Sequence, residues 1–273
     1  MKTPTVESNE ARDRLFAELA NWVRTNDVST QLHHYGDDPE QVAELRLPPA
    51  RGPHPVVALV HGGNWRAGVS RTTLDALAID LVDRGWATWN VEYRRVGNGG
   101  GIPTTGEDVA TAIRTLEGVT AVDASRIVVL GHSSGGQLAL RAAQEARAAA
   151  VVSVAGYCNL REAARLGDAA AAFCGGLPDE VPDSYEAADP MLHLPLGTKT
   201  LLAHGTADDR VPVEQSTSYA AAAERAGEPC DLMLLQGAGH FDVLDPRTEY
   251  WRAIAAALPG LLKPQSPSRR RNP

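Results

Sequence analysis

Between the apolar run Arg126-Ile-Val-Val-Leu130 and the helical pattern Gln137-Leu-Ala-Leu-Arg-Ala-Ala143 lies Gly131-His-Ser-Ser-Gly135. A glycine two residues to either side of a serine, placed between a strand and a helix, predicts a turn so sharp that larger side chains would collide. Such a turn projects Ser133 outward, where its hydroxyl could attack a carbonyl. No Lys or Thr follows the glycines as a phosphate-binding loop of the Walker type would require.

A serine hydroxyl is too weak an acid to attack at neutral pH, so it needs a base within hydrogen-bond reach and an acid to orient that base. His240, in Gly237-Ala-Gly-His-Phe241 after the last apolar run, is the base this reading selects. His33, His34, His54 and His193 lie in polar or proline-flanked segments. His132 is inside the turn, and His204 ends a strand, where bonding within its own turn is expected. The acid is expected after the preceding strand, in His204-Gly-Thr-Ala-Asp-Asp-Arg-Val-Pro212. Asp208 is preferred there, because Asp209 could cap the next helix or pair with Arg210. Attack on a carbonyl creates an oxyanion that needs preformed N–H donors. His61-Gly62-Gly63-Asn64-Trp65 directly follows another strand, so Gly62 and Gly63 are assigned as donors together with the amide of Ser134.

These residues need a scaffold that brings strand ends together. The runs 55–60, 87–91, 127–130, 149–154, 198–203 and 231–235 are short, apolar and β-branched, and read as central parallel strands. Helical patterns at 72–83, 107–116, 137–148, 213–226 and 248–262 alternate with them, which predicts an α/β architecture with helices on both faces of the sheet. Gln41–Leu47 alternates like a half-exposed strand and predicts an edge hairpin, its turn at Pro48-Pro49 and Gly52-Pro53. Leu15, Phe16, Leu19, Trp22 and Val23 recur at helical spacing over Ala11–Arg24. An amphipathic helix is therefore expected over the core, with a share in a pocket mouth. The division that follows is an N-terminal extension over 1–34, a domain over 35–262 with a partly helical insertion at about 159–195 near the site, and a basic, disordered tail over 263–273.

Thirty-four acidic against 26 basic residues give a net charge of −8, which argues against nucleic acid or an anionic membrane as a partner and leaves a small molecule. Cys158, Cys174 and Cys230 are odd in number and scattered, so neither a disulfide framework nor a zinc site is suggested, and a reducing, cytoplasmic setting is expected. Neither a basic-then-apolar leader nor an 18-residue apolar run is present. No metal or cofactor is called for.

From Tyr35 to Leu262 the chain resembles the α/β-hydrolase superfamily, and more closely its bacterial esterase and kynurenine formamidase-like branch, which carries His-Gly-Gly-x-Trp. The residues behind this are Tyr35-Gly-Asp-Asp-Pro39, His61-Gly-Gly-Asn-Trp65, Tyr93-Arg-Arg95, Gly131-His-Ser-Ser-Gly-Gly136, His204-Gly-Thr-Ala-Asp208 and Gly239-His-Phe241. The resemblance implies the same roles for Ser133, Asp208, His240, Gly62 and Gly63 in hydrolysis of a small carboxylic ester or activated amide. Arylformamidase action on an N-formylkynurenine-type amide is the alternative. The stretch from His204 is also similar to prolyl oligopeptidase-type catalytic domains, but no propeller-sized region precedes it. A non-enzymatic binding role is disfavoured. Trp65 and Tyr157 follow strand ends and are candidates for the pocket wall, while Arg94 and Arg95 are expected to be structural ion-pair partners.

Overall fold

The computed structural model describes residues 6–26, 28–228 and 230–263. In chain order these form α1 (Val6–Asn26), β1 (Thr30–His34), β2 (Val42–Arg46), β3 (His54–Val60), α2 (Asp75–Asp83), β4 (Ala87–Val91), α3 (Thr104–Thr115), β5 (Val122–His132) and α4 (Ser134–Glu145). There follow β6 (Ala150–Val154), α5 (Leu160–Leu166), α6 (Asp168–Cys174), α7 (Pro182–Ala188), β7 (Lys199–Gly205), α8 (Glu214–Arg225), β8 (Cys230–Leu235) and α9 (Glu249–Leu261). The disordered tail expected from the sequence lies, apart from Lys263, outside the described residues.

The eight strands form one sheet in the order β1-β2-β4-β3-β5-β6-β7-β8. From β4 to β8 every pairing is parallel, and β2 runs antiparallel to both β1 and β4. Side chains alternate across the pleat. Val56, Ala58 and Val60 of β3 pack on the face covered by α3, α4 and α8, while Val57 and Leu59 pack on the face covered by α2 and α9. Each fully buried valine or leucine of this kind contributes about 1.5–3 kcal/mol. The indole Nε1 of Trp251 donates to Asp80 Oδ2 at 2.6 Å and joins the two helices of the second face.

Two details of the sheet differ from expectation. The hairpin at the β2 edge is closed before that strand, by residues 35–41, rather than after it, and its partner β1 comes from a polar stretch. The run at 231–235 is not central. It is the opposite edge strand, with Leu232 and Leu234 exposed.

Parallel pairing places the C-terminal ends of β3 to β8 on one edge, and every candidate site residue follows one of those ends. Gly62 and Gly63 follow β3, Ser133 follows β5, Tyr157 follows β6, Asp208 follows β7 and His240 follows β8.

Candidate active site

Ser133 occupies the break between β5 and α4 with φ 56° and ψ −123°, a strained conformation for a residue with a side chain. Neighbouring backbone holds it there. Its amide donates to the Val154 carbonyl at 2.9 Å, and its carbonyl accepts from the amides of Gly136 at 2.9 Å and Tyr157 at 3.3 Å. The flanking glycines are required by contact. A Cβ on Gly131 would lie 1.9 Å from the Gly135 carbonyl oxygen, and one on Gly135 would lie 2.1 Å from that of Val60. Ser134 opens α4, where the first-turn N–H groups have no intrahelical partner. Its hydroxyl accepts from the Trp65 amide at 3.3 Å and so ties the serine turn to the loop after β3.

His240 Nδ1 donates to Asp208 Oδ2 at 2.8 Å, which leaves Nε2 with a free lone pair. Asp208 Oδ1 accepts the amides of Arg210 and Val211, each at 2.8 Å, and a second imidazole approaches Oδ2, His204 Nε2 at 3.3 Å. Burial alone would raise the Asp208 pKa. Hydrogen bonds from His204 and His240, with the Val211 amide, outweigh it and hold the carboxyl well below the usual carboxylate range. His204 is itself fixed, with Nδ1 accepting from Ser216 Oγ at 2.7 Å and Nε2 donating to the Val211 carbonyl at 3.0 Å. Asp209 points elsewhere, its Oδ2 accepting the Ser8 hydroxyl at 2.6 Å.

Two supports were not legible as site residues in the sequence. His132 Nε2 donates to the His240 carbonyl at 2.9 Å, and its ring lies 4.7 Å from that of His240. Burial, then the neighbouring His240, lowers its pKa to about 3, so it is a neutral prop for the loop. Glu92, at the end of β4, binds His61. The carboxylate accepts from His61 Nε2 at 2.8 Å, the Arg71 amide at 3.0 Å and Arg95 Nη1 at 3.1 Å. Burial raises the Glu92 pKa, but the His61 bond, the Arg71 amide and the Arg95 charge leave it lowered overall. His61 Nδ1 lies 2.7 Å from the Gly62 carbonyl oxygen, so the ring packs between the Glu92 carboxylate and that peptide. A carboxylate at a strand end beside Tyr93-Arg-Arg95 was the available signal for this brace. Arg95 also pairs with Glu40, and Arg94 grips Asp108 through Nε at 2.8 Å and Nη2 at 2.7 Å, so both arginines are structural partners as expected.

A cavity of about 660 Å³ opens over these loops. Ser133, His240, Gly62, Gly63 and Tyr157 all line it, with Arg12, Asp13 and Phe16 of α1 on its wall. Trp65 does not. It is 1 % exposed, donates from Nε1 to Gln137 Oε1 at 2.9 Å and stacks on Phe173 at 4.8 Å, so it packs beneath the loop rather than on the pocket wall. The insertion does not reach the cavity either. Its α6 supplies Phe173 as the platform for Trp65. Among the described residues no cluster of His, Cys, Asp and Glu is arranged to hold a metal, and no helix is long and apolar enough to cross a membrane.

A mostly parallel sheet with a serine on the β5–α4 turn and a histidine–aspartate pair on the loops after β7 and β8 defines an α/β-hydrolase. Residues 44–222 match the BD-FAE family model, and the chain belongs to that family of α/β-hydrolase esterases. It is 25% identical over 237 residues to a probable isoprenylcysteine alpha-carbonyl methylesterase of Oryza sativa subsp. japonica, an alignment covering 77% of this chain and 57% of that protein. Its fold is like that of a truncated carbohydrate esterase from gut microbiota, with TM-score 0.76 and 20% identity over 87% of this chain and 97% of the other. A bifunctional GH43-CE protein of Bacteroides eggerthii gives TM-score 0.74 and 23% identity over 85% of this chain and 38% of that one. An esterase of Thermogutta terrifontis gives 0.69 and 22% over 85% and 91%. The chain thus spans only part of the rice and Bacteroides proteins.

Proposed function

We propose that the protein hydrolyses small carboxylic esters through an acyl-enzyme on Ser133. His240 Nε2 takes the Ser133 proton as Oγ bonds to the carbonyl carbon, and the C=O π pair moves to oxygen. The oxyanion accepts from the amides of Gly62, Gly63 and Ser134. His240 then gives its proton to the departing alkoxide, the C–O bond breaks and alcohol leaves. Water, deprotonated by the same imidazole, releases the carboxylic acid and restores Ser133. Asp208 stays ionised throughout and stabilises the imidazolium.

The observation that carries this reading is the 2.8 Å bond from His240 Nδ1 to Asp208 beside Ser133 in one cavity. Peptide planarity supports the donor assignment. With the Gly62 carbonyl facing the His61 ring, the trans amide turns the Gly63 N–H the opposite way, away from the ring. A cavity of about 660 Å³ suits a small molecule. Short acyl groups are the first to test, since the Thermogutta enzyme has been seen with butyrate and with propionate. Three free cysteines suit a reducing, cytoplasmic compartment.

The test is a panel of 4-nitrophenyl esters and aryl formamides assayed with wild type and Ser133→Ala, alongside labelling by a fluorophosphonate. Ester turnover and labelling of the wild type alone are expected. Turnover by Ser133→Ala at the wild-type rate would overturn the assignment, and a kcat/KM favouring the formamide by orders of magnitude would replace the ester with an amide.

A further inference from the structure

Helix α1 has 21 residues, yet Leu19 is its one fully buried side chain among those described, whereas the 13-residue α9 buries Trp251, Ile254, Ala255, Leu258 and Leu261. A helix so little built into the core is held by something else. Asn9, Arg12, Asp13, Phe16 and Leu19 are spaced by three and four and form one stripe. Along it, Asn9 Oδ1 accepts from Arg210 Nη2 at 2.8 Å, Arg12, Asp13 and Phe16 line the cavity, and Leu19 anchors the far end. Ser8 bridges Asp209 at 2.6 Å and Arg210 at 2.8 Å, while Glu18 meets Arg247 at 3.2 Å. The Phe16 ring stands edge-on to Phe241 at 5.6 Å. Asp209 and Phe241 directly follow Asp208 and His240, so α1 is latched to the two loops that carry the acid and the base.

From this we infer that α1 is the specificity-determining roof of the site, and that Phe16 sets the largest group the cavity admits beyond the scissile carbonyl. This rests on the esterase reading of Ser133. Phe16 is the aromatic side chain that α1 contributes to the wall, and it is held there by contact with Phe241 and by polar bonds of its helix. One methylene of misfit in an apolar pocket changes discrimination by about 10–200-fold, so resizing this side chain has a measurable effect.

The experiment compares wild type, Phe16→Ala, Phe16→Leu and Phe16→Trp on two series, 4-nitrophenyl esters from acetate to octanoate and acetates of increasingly large alcohols. In at least one series the ratio of kcat/KM for the largest to the smallest ester is expected to rise about tenfold or more in Phe16→Ala, less in Phe16→Leu, and to fall in Phe16→Trp. Simple destabilisation would move both extremes the same way. Ratios unchanged in both series, or shifted in one direction by Ala and Trp alike, would overturn the proposal. Fluorophosphonate labelling of wild type separates the two layers of the argument: a labelled Ser133 with unmoved ratios removes only the roof, whereas an unlabelled Ser133 removes the active site and the roof with it.

Discussion

Asp208→Asn tests the electrostatic core of the site with little disturbance of its shape. The amide keeps one oxygen, which can still accept the Arg210 and Val211 amides now bound at 2.8 Å, so the loop after β7 retains its anchor. The second oxygen becomes an NH2 group, and it faces two donors, His240 Nδ1 at 2.8 Å and His204 Nε2 at 3.3 Å. The His240 contact is restored only if the imidazole moves its proton to Nε2, which removes the lone pair that would deprotonate Ser133. In serine proteases this wrong-tautomer change lowers kcat by about 10⁴, or ~5.5 kcal/mol of transition-state stabilisation. A loss of about 10³–10⁴ in kcat with KM within about threefold is therefore expected for hydrolysis of 4-nitrophenyl butyrate, measured with active-site titration to count folded enzyme. Asp209→Asn changes a carboxylate whose side chain is 45% exposed and which accepts the Ser8 hydroxyl, and the expected loss is under about tenfold. If Asp208→Asn kept more than about a tenth of wild-type kcat, or the two variants lost activity equally, the role given to Asp208 would be refuted.

Glu92→Gln places an amide against His61 and removes the charge facing Arg95, so the melting temperature is expected to fall, and kcat to fall by about 10–100-fold with little change in KM as the Gly62–Gly63 peptide loosens. A destabilised variant with wild-type kcat well below its melting temperature would show that the brace is structural only. Burial pushes the Cys158 thiol up to about 12, so iodoacetamide at pH 8 is expected to leave Cys158 unmodified in folded protein and alkylate it in urea, read by peptide mass spectrometry; rapid modification of the folded form would contradict the burial.

The parts of the fold that were legible in the sequence are those buried on both sheet faces. β3, β5 and β6 carry near-continuous Val/Ile/Leu runs and β4 and β7 short, mostly apolar ones because helices cover both their surfaces, and 87–91 is bounded as the pattern predicts. Edge strands carry a weaker imprint. β1, Thr-Gln-Leu-His-His, is exposed along most of its length and pairs on one side only, so nothing in its composition marks it as a strand. β8 gave the opposite error. Its Leu-Met-Leu-Leu run looks central because hydrophobicity does not record how many neighbours a strand has. At the site, the gathering of Ser133, Asp208 and His240 at one edge of the sheet was legible because each stands in a short loop directly after an apolar strand run. His132 and Glu92 were not, since their roles are hydrogen bonds to partners 108 and 31 residues away that only the fold brings close, whereas His204 bonds within its own turn, to Val211 and Asp208, as its place at a strand end predicts.

The cavity wall shows the same limit and its cause. The long insertion after β6, expected near the site, packs Phe173 under Trp65 without reaching the cavity, whereas α1, expected at the pocket mouth, does line it with Arg12, Asp13 and Phe16, some 120 residues before Ser133 in the chain and beside the loops after β3, β7 and β8. What decides this is the alternation of adjacent side chains. Asp208 turns inward to His240 and Asp209 outward to Ser8; His240 faces the cavity and the next residue, Phe241, meets Phe16. One loop thus holds His240 through Asp208 and α1 through Asp209, and a second turns His240 to the cavity and Phe241 to Phe16. Because these neighbours share a backbone, substitutions in α1 and in the two loops cannot act independently. Residues in one network typically couple by about 0.5–3 kcal/mol, so specificity and turnover in this enzyme are expected to vary together along the Asp208–Arg210 and His240–Phe241 segments and separately elsewhere on the sheet edge.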